Sequence, residues 1–309
     1  MTSLTRRTFV KAAGASVAAA TAAALAPGRA PAAEQGGKDK PFRLHYLLAS
    51  SLYGKVHIRE IVPQVSRAGC EALDVWCPPW VPHRTQVDEM GHDAFAALLK
   101  EHKTRLGAVS AYKKGPFGLQ EELRVVSKLG GTLAICGSQR PADDVKAAMK
   151  QFIERMKPQI EVAEEVGVDI GVENHGGALL CSPDSFRYFC EFAESPRLKI
   201  SFAPFHLPQK SETIAGLLRE IGPKLAHIYM WQKPGNRKKT GAALPALPGP
   251  GGLDFVPIVS ALRAVRFDGW TEIFTHAHKH NGAMCETTQA VTAKVLQTRR
   301  YLESCLARA

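Results

Sequence analysis

The sequence predicts an α/β protein built as one (β/α)8 TIM barrel, and three observations carry that prediction. Short apolar runs alternate eight times with longer segments whose apolar residues recur every three or four positions. Glycines stand between several of those segments and the next run, where a helix C-terminus is expected. Residues 42–309 hold all the alternations, and about 270 residues suit one such barrel. The rival is a doubly wound open sheet. It ordinarily carries a Gly-rich phosphate loop after its first strand, and residues 47–54 contain no G-x-G-x-x-G.

The expected strands are 43–49, 72–76, 106–110, 132–136, 169–173, 199–203, 226–231 and 270–275. Between the first two, Ile58, Ile61, Val62 and Val65 share a helical face. Phe95, Leu98 and Leu99 mark the second helix, and Leu123, Val126 and Leu129 the third. One long helix is expected over 143–165, with Val145, Met149, Phe152, Met156, Ile160 and Ala163 along one side. Ser182-Pro183-Asp184 opens the next, with serine as N-cap and proline in the first turn. The last helices are expected over 211–221, 254–265 and 287–306. Gly69, Gly130, Gly167 and Gly269 stand at the expected helix ends.

Composition narrows the function. The 309 residues are 45% hydrophobic and 22% charged, which fits neither a disordered nor a fibrous chain. No run of 18 strongly apolar residues occurs, which excludes a multispanning membrane protein. The seven cysteines are too sparse and irregular for a disulfide scaffold or zinc ribbon, and are read as small buried apolar residues. The net charge is +11, but Arg6, Arg7, Lys11 and Arg29 contribute to it from a stretch without acids. The remaining surplus is weak evidence for nucleic acid, and no nucleic-acid partner is expected.

Residues 5–11 read Thr-Arg-Arg-Thr-Phe-Val-Lys. An Ala-rich stretch over 12–26 follows, then Ala30-Pro31-Ala32. This order resembles a twin-arginine export signal over residues 1–32. The resemblance implies the twin-arginine machinery as a partner and a periplasmic or otherwise exported mature protein. It also implies no stable membrane insertion after cleavage. Residues 33–41 are polar and Gly-containing, a flexible lead-in to the barrel over 42–309.

A (β/α)8 barrel carries its chemistry at the C-terminal strand ends. There the sequence supplies Asp74 and Trp76, Glu173 and His175, His206, then Tyr229, Trp231 and Gln232, and finally Glu272, His276 and His278. Carboxylates and imidazoles exchange protons or bind metals; indole and phenol rings stack on sugars. The basic run from Lys233 to Lys239 lies in a Pro/Gly-rich loop, read either as a solvated loop or as a flap drawing in an anionic substrate.

Four motifs carry a family resemblance: Val172-Glu173-Asn174-His175, Ala203-Pro204-Phe205-His206, Pro248-Gly249-Pro250-Gly251 ahead of Asp254-Phe255, and Phe267-Asp268-Gly269-Trp270. On these the chain resembles the xylose isomerase-like, sugar phosphate isomerase/epimerase superfamily. The resemblance implies a divalent metal held by Glu, Asp, His and Glu from strands five to eight, and proton transfer between adjacent sugar carbons. Glu173 matches the first ligand. The other three positions fall on Ala203, Tyr229 and Phe274, while His206 matches the histidine of the family's D-x-x-H.

Residues two apart on a strand share a face about 6.6–7 Å apart, so Glu272, Phe274 and His276 are expected to project inward at successive depths. A relocated two-His, one-carboxylate site is then expected on Glu173, His206 and His276, with His175 or His278 as a further ligand, for Zn, Mn, Fe or a similar ion. The alternative is that these polar residues hold together a metal-free pocket. Glu272 is expected in a poorly solvated layer that raises its pKa; the competing reading makes it a structural carboxylate.

The resulting expectation is an exported isomerase, epimerase or lyase acting by proton abstraction next to a sugar carbonyl. Glu173, Glu272 and His206 are its catalytic candidates. Asp74, Trp76, His175, Tyr229, Trp231 and Gln232 are expected to contact an unphosphorylated sugar or keto-sugar. The alternative is a non-catalytic carbohydrate-binding barrel. A DNA repair endonuclease on the same fold is disfavoured, because it needs more His and Asp ligands than these strand ends supply.

Overall fold

The protein is described by a computed structural model covering residues 41–234, 244–276 and 282–309. The expected leader and nearly all of the lead-in, most of the basic loop and His278 lie outside the described residues.

Eight parallel strands close on themselves in sequence order. They are β1 (His45–Ala49), β2 (Ala72–Trp76), β3 (Leu106–Ser110), β4 (Leu133–Gly137), β5 (Asp169–Glu173), β6 (Leu198–Phe202), β7 (Leu225–Met230) and β8 (Trp270–Ile273). β1 pairs with both β2 and β8, which makes the ring complete. The expected barrel is thus the observed one, with strand ends shifted by at most two residues.

The helices are α1 (Ile58–Ile61), α2 (Gln64–Arg67), α3 (His83–Met90), α4 (His92–Glu101), α5 (Gln120–Lys128), α6 (Val145–Arg155), α7 (Lys157–Val166), α8 (Pro183–Phe192), α9 (Ser211–Ile221), α10 (Val256–Ala264) and α11 (Thr288–Arg308). Two expected helices are each divided in the structure. Pro63 separates α1 from α2, and α7 restarts at Lys157 with Pro158 in its first turn. A proline has no N–H for the preceding turn, so the apolar stripe continues while the hydrogen-bond ladder does not. Ser182 caps α8 as expected, accepting from the backbone N–H of Ser185 at 3.2 Å.

Gly167 ends α7 in the left-handed conformation, at φ 73°. Gly269 is glycine for another reason: a Cβ there would overlap the carbonyl oxygen of Ala226 on the neighbouring strand. Tight packing of β8 on β7 therefore depends on it.

Strand alternation sorts the side chains. Ile170, Val172, Ile200, Phe202, Ile228 and Ile273 are fully buried, on the strand face directed to the surrounding helices. Asp74, Ser110, Ser201, His227 and Glu272 take the other face and are also buried, so the barrel interior is polar over its middle depth. All seven cysteines are unpaired. Among the described residues no helix is long and apolar enough to cross a membrane.

Candidate functional site

The deepest polar layer joins five strands. Ser110 Oγ on β3 donates to Asp74 Oδ2 on β2 at 2.7 Å. On the other side, His227 Nε2 on β7 lies 3.0 Å from Glu272 Oε2 on β8, and its Nδ1 lies 2.5 Å from Ser201 Oγ on β6. Burial pushes the Asp74 carboxyl up to about 7, with Ser110 opposing. Burial also raises Glu272 well above the carboxylate range, and the nearby Asp74 charge raises it further. Two such acids cannot both ionise cheaply, so the pair keeps at least one proton near neutrality. Burial holds His227 neutral, at about 3. A protonated Glu272 donates to its Nε2, and its Nδ1–H then donates to Ser201.

Nearer the mouth, the phenols of Tyr112 and Tyr229 meet at 2.8 Å, and Tyr229 Oη is 3.3 Å from Ser110 Oγ. Burial keeps both phenols protonated. Tyr112 also hydrogen-bonds Glu173, whose carboxyl burial pushes up to about 8 against that bond. Glu173 is 7% exposed, and its Oε1 lies 3.9 Å from His206 Nε2. With Glu173 ionised, Tyr112 donates to it and Tyr229 donates to Tyr112, while the proton of Ser110 goes to Asp74. Two short runs of hydroxyls thus approach each other, Ser110 serving Asp74 and the two phenols serving Glu173, with the Ser110 and Tyr229 oxygens 3.3 Å apart between them.

Asn174 fixes Glu173 and His206 relative to each other. Its amide accepts from the Ala203 N–H at 2.7 Å and donates to the Ala203 carbonyl at 3.0 Å, tying the end of β5 to the end of β6. The His175 ring lies 4.0 Å from the His206 ring.

Beside these groups the wall is aromatic. Phe274 stacks on Trp76 at 5.0 Å and 8°, and Phe205 stacks on Trp231 at 3.9 Å and 11°. The Trp231 indole receives Phe274, His206 and His276 edge-on, at 5.0, 5.4 and 5.3 Å. Tyr229 lies 5.0 Å from Phe274, and Tyr112 lies 5.4 Å from Trp76.

The expected site residues therefore separate by depth. Glu173, His175, His206, Trp231 and His276 gather near the mouth. Asp74 and Glu272, expected near the substrate, are fully buried beneath Tyr229. The raised pKa expected of Glu272 is present together with the interior partner of the structural reading. Gln232, expected to contact substrate, instead secures a loop: it donates to the Leu247 carbonyl at 2.6 Å and accepts from the Leu253 N–H at 2.7 Å. Sequence reasoning missed His227, Ser201, Ser110 and Tyr112. His227 had a signal, since it shares a strand face with Tyr229; Tyr112 lies in a turn beyond β3, where strand periodicity gives none.

The metal that the resemblance implies does not fit these residues. Ala203 offers no ligand atom and its backbone is taken by Asn174. Tyr229 keeps its proton, and Phe274 presents a ring. Among the described residues no group of three His, Cys, Asp or Glu side chains can hold an ion, so Glu173, His206 and His276 do not form the expected ligand set.

A family model described as xylose isomerase-like TIM barrel matches residues 62–300. No curated protein matches the chain. Among solved structures, a xylose isomerase domain protein from Alicyclobacillus acidocaldarius is 16% identical at a TM-score of 0.64, covering 86% of this chain and 99% of its own. D-psicose 3-epimerase from Clostridium cellulolyticum H10 is 14% identical at 0.66, with coverage of 85% and 99%. A 3-keto-D-glucoside 4-epimerase from E. coli is 14% identical at 0.64, with coverage of 84% and 100%. At these identities the likeness is one of fold.

Proposed function

The chain belongs to the xylose isomerase-like TIM barrel family, and on that premise we propose that it is an exported sugar isomerase or lyase. It moves or removes a proton next to the carbonyl of an unphosphorylated sugar or keto-sugar. The carrying observation is Glu173, a nearly buried carboxyl with its pKa at about 8, 3.9 Å from His206 and hydrogen-bonded to Tyr112. Structural neighbours that are epimerases of sugars and keto-sugars support the substrate class.

A base is most useful when its pKa lies near the working pH. At neutral pH a fraction of Glu173 is ionised and strongly basic. Its Oε takes the proton from the carbon next to the carbonyl. As Glu173 takes up the proton it no longer needs the Tyr112 hydroxyl, which turns with His206 to the developing oxyanion, in a site shielded from water. The same carboxyl returns the proton to the neighbouring carbon while that carbon's hydroxyl proton passes by way of His206 to the first oxygen, or it gives the proton to a β-substituent that leaves with its bonding electron pair as the carbonyl re-forms. The sugar face packs on the Trp231 and Phe274 rings. Among the described residues Glu173 is the one carboxyl near the mouth, which favours transfer by a single base on one face of the sugar over inversion by two opposed carboxylates. No step is routed through a metal.

The test is deuterium exchange. The mature protein is incubated in D2O with a panel of unphosphorylated ketoses and keto-sugars, and label is read by NMR. Label next to the carbonyl, lost in Glu173→Gln, supports the reading. Thermal stabilisation by a sugar without any exchange replaces it with the carbohydrate-binding barrel, which the three changed ligand positions favour. Export is tested separately: Arg6→Lys with Arg7→Lys should leave uncleaved precursor in the cytoplasm, and normal export of that variant eliminates the twin-arginine route.

A further inference from the structure

The four positions that carry the metal in the family resemblance hold Glu173, Ala203, Tyr229 and Phe274 here, and each replacement is built into a contact. The Ala203 methyl is fully buried, and both its backbone polar groups are bonded to Asn174. The Tyr229 hydroxyl is shared with Tyr112 at 2.8 Å and approaches Ser110 at 3.3 Å. The Phe274 ring stacks on Trp76 and touches Tyr229 and Trp231, each at a centroid distance of 5.0 Å. These are packed aromatic distances that leave little room for an ion and its waters.

The remaining acids on this side each give one oxygen to a protein partner. Glu272 is one residue pair deeper on β8 and bonds His227; Asp74 bonds Ser110. A divalent ion needs deprotonated ligands converging at about 2.0–2.6 Å, whereas here phenols and apolar rings converge.

We infer that protein groups have taken the ion's place: the Tyr112–Tyr229 phenol pair, backed by the Phe274–Trp76 stack, fills it, and the protein folds and works without a bound divalent cation. Once Glu173 is protonated, the Tyr112 hydroxyl, itself accepting from Tyr229, then offers a substrate oxygen the polarising contact that a Lewis acid would otherwise make. The occupancy claim does not depend on the proposed reaction, and its readout is independent of turnover.

The experiment uses the whole exported chain, equilibrated with Mn2+ or Zn2+, desalted and analysed for metal. Wild type should retain fewer than about 0.1 ion per chain, and chelation by EDTA should leave Tm unchanged, since nothing stabilising is removed. Retention of about one ion per chain, with Tm falling on chelation, overturns the inference and points back to a relocated set on Glu173, His206 and His276. The ligand-restoring variant Ala203→Asp, Tyr229→His and Phe274→Glu should gain about one ion per chain, with Tm rising when Mn2+ is added. If that variant folds by circular dichroism yet binds no ion, the rings do not occupy the ion's place and the inference fails. If it does not fold, the wild-type metal content still decides.

Discussion

At the ends of β5 and β6 the mouth is lined by a carboxyl and two imidazoles, whereas at the ends of β7 and β8 aromatic rings dominate, with His276 packed edge-on against two of them. Glu173, His175 and His206 make up the first quarter; Tyr229, Trp231 and Phe274 make up the second. The second quarter has polar groups too, but they sit two residues earlier on their strands. His227 lies beneath Tyr229 and Glu272 beneath Phe274, and the two bond to each other at 3.0 Å. A shift of two residues is one pleat, about 6.6–7 Å along the strand. That step turns groups that could meet a ligand into groups that meet only protein. Depth in the barrel thus separates two glutamates: Glu173 lies near the mouth, where the proposed reaction would use it, and Glu272 lies in the fully buried layer.

The largest effect should separate those glutamates. Glu173→Gln keeps shape and hydrogen bonding but removes the base, and should lower exchange or turnover by about 10²–10³-fold with no loss of Tm. Glu272→Gln should leave turnover within about fivefold of wild type. Comparable losses from both substitutions would place the floor acids in the reaction and dissolve the distinction.

The next effect is on stability. His227→Ala leaves Glu272 Oε2 and Ser201 Oγ without their buried partner and opens a cavity, at a cost of about 3 kcal/mol read by urea unfolding. Asn174→Ala should cost about 2 kcal/mol, since the buried Ala203 N–H loses its partner and the Ala203 carbonyl keeps only the His206 N–H at 3.2 Å. It should also slow turnover by letting Glu173 and His206 drift apart. A stability loss with full turnover would mean that the β5–β6 tie does not position the reacting pair.

How much of this was legible in the sequence follows from the range of each signal. Strand order, the barrel and the inward face shared by Glu272 and Phe274 rest on local periodicity, and the structure has them. The division of two helices at Pro63 and Pro158 was also written locally, but the continuous apolar stripe outweighed it. The depth of Asp74 and the pairing of His227 with Glu272 depend on register between strands, such as His227 opposite Trp270 and Tyr229 opposite Glu272. No single strand carries that information. Tyr112 entered the site from a 3-10 turn spanning Tyr112–Lys114, where no period points inward. Gln232 read as a site residue because it follows β7, yet its partners lie in a loop more than ten residues on.

The smallest effect is a slope, and it tests the protonation state on which the contrast rests. The groups around Glu173 are His206, the phenols of Tyr112 and Tyr229, and more distantly Cys136 and Glu272. Its carboxyl is raised from 4.5 to about 8 by burial. Between those values the folded chain holds a proton that the unfolded chain has released, so stability falls as pH rises and levels off above 8. Asp74, raised to about 7, acts in the same direction below that pH, while His227, lowered to about 3, weakens the fold as pH falls below 6.5. The wild-type curve therefore mixes several groups. Subtracting the Glu173→Gln curve isolates one. The variant should gain on wild type by about 1 kcal/mol per pH unit between pH 5 and 8, measured by urea unfolding at each pH. A flat difference would mean that folded Glu173 is already ionised at pH 5, stabilised by a cationic neighbour. The β5–β6 quarter would then hold a fixed ion pair in place of a base poised near neutrality, and its advantage over the aromatic quarter would be one of charge alone.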